Sequence, residues 1–118
     1  MKQLFQLNDR ELSELFAVEV AGWTCVSVHQ EHQFVRPWVN ASGGSEIDPV
    51  FAMSADKVLP WLEKSKTNAR IQFGYWGDAE WQIYMFINGE QVVVLGSTFA
   101  RAVCKALLEA RGITEVEP

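Results

Sequence analysis

The sequence predicts an α/β fold, a three-layer α/β/α sandwich of order α-β-(loop)-α-β-β-β-α with a mainly antiparallel sheet. Three observations carry that expectation. Apolar residues recur at helical spacing near both ends, as Leu12, Leu15, Phe16 and Val20 and as Phe99, Ala102, Val103, Ala106 and Leu107. Between them, Ala69–Trp76, Glu80–Ile87 and Val92–Leu95 are rich in β-branched and aromatic residues. Asn88-Gly89 separates the last two runs, and both residues tolerate the positive φ of a type I′ hairpin turn.

The first helix starts at Asn8-Asp9-Arg10-Glu11. Asn8 and Glu11 have the spacing of a capping box, and the early carboxylates suit the helix dipole. Gly22 ends this helix as a left-handed cap, so it spans residues 9–21. A strand follows over Trp23–Val28. Residues 29–53 lack clear periodicity and carry Pro37, Ser42-Gly43-Gly44-Ser45 and Asp48-Pro49, the composition of a long loop. Phe34–Val39 is a candidate strand within it, placed at a sheet edge by Pro37. The second helix covers Ser54–Lys66, capped by Ser54, with Val58, Leu59, Trp61 and Leu62 as its apolar face. Pro60 removes one backbone donor there and predicts a kink or a 3-10 first turn.

In the paired strands, Tyr84 and Phe86 oppose Trp81, Ile83, Met85 and Ile87, and Val92–Leu95 is apolar on both faces. Strands of that kind are covered on both sides. The expected sheet therefore takes in residues 23–28, 69–76, 80–87 and 90–96, with helices 9–21 and 97–111 packed on it and Ala102 and Ala106 at the contact. Thr114–Pro118 is expected to fray.

With 118 residues and 48% hydrophobic content, the chain predicts one domain, 1–118. A net charge of −5 and a pI near 4.9 argue against direct non-specific nucleic-acid binding, which needs clustered Lys and Arg. Cys25 and Cys104 lie in apolar segments and read as buried free thiols. Met1–Leu7 is too short and polar for a secretory signal, and no apolar run approaches a membrane span. A protein of the host cytosol, with no membrane association, is expected.

Two segments carry a family resemblance. Asp9-Arg10-Glu11-Leu12 through Val20-Ala21-Gly22-Trp23 is a leucine-bearing acidic helix closed by a Gly-Trp pair. Thr98-Phe99-Ala100-Arg101-Ala102-Val103-Cys104-Lys105-Ala106-Leu107 is a closing helix with a small-residue, Val-Cys, Ala-Leu pattern. Between them lies Ser54-Ala55-Asp56 with Trp61. This combination resembles the phage ABA-sandwich domain family. The resemblance spans most of the chain and rests on structural residues. It implies a small phage or prophage protein of α/β/α build, in a family whose biochemical role is largely uncharacterised. The chain departs from the pattern at Pro60 and over Phe34–Phe51.

No catalytic motif stands out, and no enzyme is expected. Cys25, His29, Glu31 and His32 form the one cluster with metal-ligand chemistry, but Cys-x3-His-x2-His is not a standard spacing, so neither metal nor cofactor is expected. Ser42-Gly43-Gly44-Ser45 lacks the Lys and following helix of a P-loop and reads as a flexible loop rather than an anion nest. Arg36, Trp38 and Phe51 flank that loop, and Tyr75, Trp76 and Trp81 crowd the tip of a hairpin. Trp and Arg dominate interface energetics, so these six residues are the candidate partner-binding set, with Arg36, Trp38 and Phe51 expected to be at least partly exposed. The competing expectation is a satellite core beneath the loop.

The functional expectation is a non-enzymatic phage accessory protein that binds a host protein or nucleoprotein complex. It would act as a host-takeover or anti-defence inhibitor, of the anti-CRISPR type for example. The alternative is a small-ligand or nucleotide-binding protein with a pocket near residues 36–53, where Trp38 or Trp76 stacks on a base. A homodimer is compatible with either. The first predicts a flat or convex exposed aromatic patch, the second a concave pocket with convergent polar groups.

Overall fold

The computed structural model describes residues 2–25, 38–46, 48–65, 69–76, 79–87 and 90–116, with the backbone alone at 75, 76, 79, 87 and 90. In chain order, β1 (Lys2–Gln3) and a 3-10 turn (Leu4–Gln6) precede α1 (Asp9–Glu19). Next come β2 (Thr24–Cys25), β3 (Trp38–Val39), β4 (Ser45–Glu46), a 3-10 turn (Phe51–Met53) and α2 (Ala55–Lys64). Then follow β5 (Ala69–Trp76), β6 (Ala79–Ile87), β7 (Glu90–Gly96), α3 (Phe99–Ala110) and β8 (Glu115–Val116). The chain is an α/β protein, and all its described strand pairs are antiparallel.

The first helix forms as its cap residues dictate. The Asn8 side chain accepts from the Glu11 amide at 2.8 Å, and the Asn8 amide donates to the Glu11 carboxylate at 3.0 Å. Two orphan donors of the first turn are thereby satisfied. Past its end, Gly22 takes φ +75°, a left-handed value that glycine adopts without a Cβ penalty. Ser54 stands at the N-cap of α2, but its hydroxyl makes no capping bond. Pro60 is accommodated inside α2, and the 3-10 turn lies ahead of the helix, at Phe51–Met53.

The main sheet has the order β5-β6-β7. Trp81 pairs with Gly96, Ile83 with Val94 and Ile87 with Glu90; Asn88-Gly89, between the last pair, lies outside the described residues. On the other side of β6, Ile83 pairs with Ile71, and the register shifts between Phe73 and Trp76. Gly77-Asp78 also falls outside the described residues.

α3 packs on β6 and β7 and is buried nearly all round, at Ala100, Ala102, Val103, Cys104, Ala106, Leu107 and Leu108. A helix that is apolar all round needs cover on every side. The sheet covers one flank, while α1, α2 and the Phe51–Met53 turn cover the other. The small residues Ala102 and Ala106 are fully buried, as expected. Gly96 shows how close the approach is: a Cβ there would stand 2.7–2.8 Å from the backbone N, Cα and Cβ of Ala102.

Several expectations are corrected. α1 packs on α3 and the 3-10 turn rather than on the main sheet. β2 does not join β5–β7; it pairs with β3 in a small sheet of order β2-β3-β4. The Trp38–Val39 part of the candidate edge strand is therefore a centre strand. The Gly-rich loop is a hairpin turn. Asn40 Oδ1 accepts from the Ser42 and Gly44 amides, each at 2.9 Å, and Asn40 Nδ2 donates to Glu46 at 2.8 Å. Instead of fraying, Glu115–Val116 pairs with Lys2–Gln3. Cys104 is buried as expected, but Cys25 is exposed, because β2 ends up at the edge of the small sheet. Finally, among the described residues, α3 covers one face of the main sheet, and on the other Phe86, Val93 and Leu95 are exposed.

Candidate functional site

The two halves of the candidate site meet different fates. Trp38 is 5% exposed and Phe51 4%. Both belong to an aromatic cluster: Phe51 lies 4.8 Å from Phe16 and 5.1 Å from Trp23, and Trp23 lies 6.4 Å from Trp38, between ring centroids. The expected exposure of Trp38 and Phe51 is thus corrected, and the satellite core beneath the loop is what these rings build. Trp38 stands in the centre strand of the small sheet, paired with Cys25 on one side and Glu46 on the other, and its buried ring packs against Trp23. Ser13 completes this packing, its buried hydroxyl accepting from the Ala52 amide at 2.9 Å. Arg36 lies outside the described residues, as do His29, Glu31 and His32.

Trp81 is half-buried on the face of β6 that meets α3. Its ring sits between Phe73, at 5.1 Å, and Phe99, at 5.4 Å. Phe73 itself is 61% exposed, because β5 extends beyond the cover that α3 provides. Tyr75 and Trp76 occupy the end of the same strand, with side chains outside the described residues.

The opposite face of the sheet holds Arg70, Gln72, Gln82, Tyr84, Phe86, Gln91, Val93 and Leu95, as cross-strand register requires. Phe86 is 55% exposed, Val93 46% and Leu95 37%. Sequence reasoning picked out the two-sided apolar pattern of these strands but read it as a buried sheet. Among the described residues, α3 lies on one face of the sheet, while α1 and α2 pack on α3 rather than on the second face.

A second feature is concave. A cleft of about 570 Å³ opens between α2 and the β3–β4 turn. Trp23, Phe51 and Trp61 form its floor, with Lys57 and Lys64 on the α2 side and Asn40, Glu46 and Asp48 on the turn side. The Lys64 ammonium lies 4.4 Å from the centroid of the Trp61 ring. Among the described residues, neither lysine is in an ion pair. This cleft falls in the region where the sequence places a ligand pocket, but Trp38 lies in the core and does not serve as a stacking platform.

Charge elsewhere is structural. Arg101, with its side chain 13% exposed, donates to Asp9 and to the Leu7 carbonyl, both at 2.7 Å, and so ties α3 to the start of α1. Burial pushes the Cys104 thiol far above its ordinary range, so it stays protonated. Burial also lowers the Lys105 pKa, and its ammonium donates to the Leu95 carbonyl at the end of β7.

These features define an α/β protein with a partly apolar open sheet face and one aromatic-floored cleft. Its fold is similar to that of a phage protein from Bacillus cereus ATCC 14579, known from a 2.0 Å crystal structure. The TM-score is 0.67 at 16% sequence identity, over 94% of this chain and 93% of that one. At that identity the likeness shows a shared fold. No protein-family model matches the chain, and no curated protein is significantly similar to it in sequence. No described helix is long and apolar enough to cross a membrane.

Proposed function

We propose that this chain is a phage or prophage accessory protein of the ABA-sandwich kind, acting by binding a host macromolecule rather than by catalysis. One observation carries the reading. Strands β6 and β7 are apolar on both faces, yet among the described residues the helices cover only one, and on the other Phe86, Val93 and Leu95 are exposed beside Tyr84. Exposed apolar patches with a polar rim mark interaction surfaces. Here the rim is Arg70, Gln72, Gln82 and Gln91, which offer hydrogen bonds, with Glu80 on the same face further along β6. The rest of the chain is acidic, with a net charge of −5. A basic partner, such as a nucleic-acid-handling complex of the host, is favoured by steering. The phage neighbour of shared fold supports the viral setting. An anti-defence inhibitor is the specific role that suits a small acidic protein acting by binding.

The experiment is a pull-down from host lysate, comparing the native chain with Phe86→Ser/Val93→Ser. A stoichiometric partner retained by the native chain and lost by the variant is the expected result. Equal retention by both removes this face as the binding surface. If sedimentation shows instead a dimer that the double variant breaks, a second copy of the chain covers the face.

A second reading is favoured by the cleft between α2 and the β3–β4 turn. Its size falls within the range of about 300–1,000 Å³ that small-molecule sites occupy. It joins an apolar floor to a few convergent polar groups, which is the arrangement of a small-ligand site.

A further inference from the structure

The α2 wall of the cleft has an internal order. Lys57, Trp61 and Lys64 stand at i, i+4 and i+7, so they share one helix face with the indole in the middle. The two lysines are two turns apart, about 10.5 Å along the axis. Both are exposed, and neither has an ion-pair partner among the described residues. The facing wall has the opposite character: the Asp48 and Glu46 carboxylates and the Asn40 amide. Of these, Glu46 is partly engaged, accepting from Asn40 at 2.8 Å.

A ligand matching this cleft has three parts. It needs a flat ring to stack on Trp61 against the Trp23 side of the floor. It needs an anionic group within reach of Lys57 or Lys64. It needs N–H donors on the ring's far edge for the carboxylates. We propose that the cleft binds a nucleoside monophosphate whose base carries an exocyclic amine, with Trp61 as the stacking platform, Lys57 and Lys64 on the phosphate, and Asp48 accepting from the amine. This rests on the small-ligand reading of the cleft and gives that site its chemical class. The Lys64 ammonium already lies against the Trp61 ring, so the indole face accepts a cation or a π-system. A base stacked there takes the place of the ammonium. Lysine is a point charge on a flexible stem, so Lys64 can then turn to the phosphate beside it. The turn amides of Ser42 and Gly44 are spent on Asn40, which leaves the phosphate to the lysines.

The test is titration of the full chain with AMP, UMP, adenosine and inorganic phosphate, read by calorimetry and by indole N–H shifts. AMP is expected to bind with a shift at Trp61, and to bind more tightly than UMP, adenosine or phosphate by about tenfold each. Lys57→Glu/Lys64→Glu changes exposed side chains and keeps the fold, which a melt verifies. It should weaken AMP by about tenfold or more and abolish the preference for AMP over adenosine. Asp48→Asn should reduce the preference for AMP over UMP. AMP binding that survives the double lysine variant overturns the proposal, as does phosphate binding as tightly as AMP. A fragment library separates the two levels of the argument. Fragments that shift Trp61 while no nucleotide binds overturn the nucleotide class and keep a ligand site. Silence from every probe removes both.

Discussion

At the scale of single residues, burial decides what each aromatic and charged group does. Trp38 and Phe51 are interface residue types placed in the core, and truncation of a buried Trp or Phe costs about 3–5 kcal/mol. Trp38→Ala should therefore lower stability by that amount in urea denaturation. Near-native stability would show that its ring contributes no core packing. Arg101→Ala removes bonds to Asp9 and the Leu7 carbonyl and leaves that carbonyl short of a donor. Because Asp9 is half exposed, water takes up part of the loss, and the cost should be about 1–2 kcal/mol by the same measurement. The two thiols should behave oppositely. Cys25 is exposed, whereas Cys104 is buried and held protonated by its apolar surroundings. A disulfide reagent at neutral pH should titrate one thiol in the native protein and two after unfolding. Two fast thiols in the native state would contradict the packing of α3.

At the scale of elements, caps and close approaches set the local architecture. The Glu11 pKa is lowered first by its bond with the Asn8 backbone and next by Lys2. The sign follows from linkage: the folded-state value lies below the unfolded one, so the contribution is present above the unfolded value and is lost as pH falls through the folded one. Glu11→Gln should therefore flatten the acid limb of the stability profile while keeping a capping box, since glutamine also accepts from the Asn8 amide. An acid limb unchanged by the substitution would show that this carboxylate is not a source of the pH dependence. At the sheet–helix contact, Gly96 matters through space rather than φ. Its missing Cβ faces Ala102 backbone, which has no rotamer to give way. Gly96→Ala should destabilise by about 1–3 kcal/mol through overpacking, and a neutral effect in chemical denaturation would mean that α3 can shift on the sheet. The capping box, the Gly22 stop and the small residues of α3 were legible in the sequence because each depends on neighbours within a few positions. The β3–β4 hairpin was not, because Trp38–Val39 and Ser45–Glu46 are too short to show a period.

At the scale of the molecule, the central fact is the position of α3. It is enclosed by the sheet on one flank and by α1, α2 and the Phe51–Met53 turn on the other. Among the described residues no helix covers the other sheet face, where Phe86, Val93 and Leu95 are exposed. Truncating Phe86 should weaken partner binding by about 2 kcal/mol if it is a hot spot. The same change should alter the melting temperature little, because an exposed side chain contributes little to the core. A large stability loss with unchanged partner affinity would assign Phe86 to the fold. Of the six residues singled out from the sequence, Trp38 and Phe51 belong to the core, and Trp81 bridges the α3 contact to the exposed Phe73. A pocket near residues 36–53 was legible as an alternative, but its second wall was not, because that wall comes from α2, some fifteen residues later in the chain. Trp61 is legible in the sequence as part of the apolar face of α2, but its place in the cleft between Lys57 and Lys64 is not.

The sequence by itself determined the α/β class, the antiparallel β5–β7 strands, the start and stop of α1 and the burial of Ala102 and Ala106. Each follows from short-range periodicity, cap chemistry or side-chain size. Tertiary structure decided the partner of β2, the inward turn of Trp38, the exposure of Cys25, and which face of the sheet α3 would cover. An apolar residue is driven out of water with equal force by any neighbour that excludes it. A pattern of apolar residues therefore states that a face must be covered, and only the packed chain shows whether one of its own helices is there to cover it.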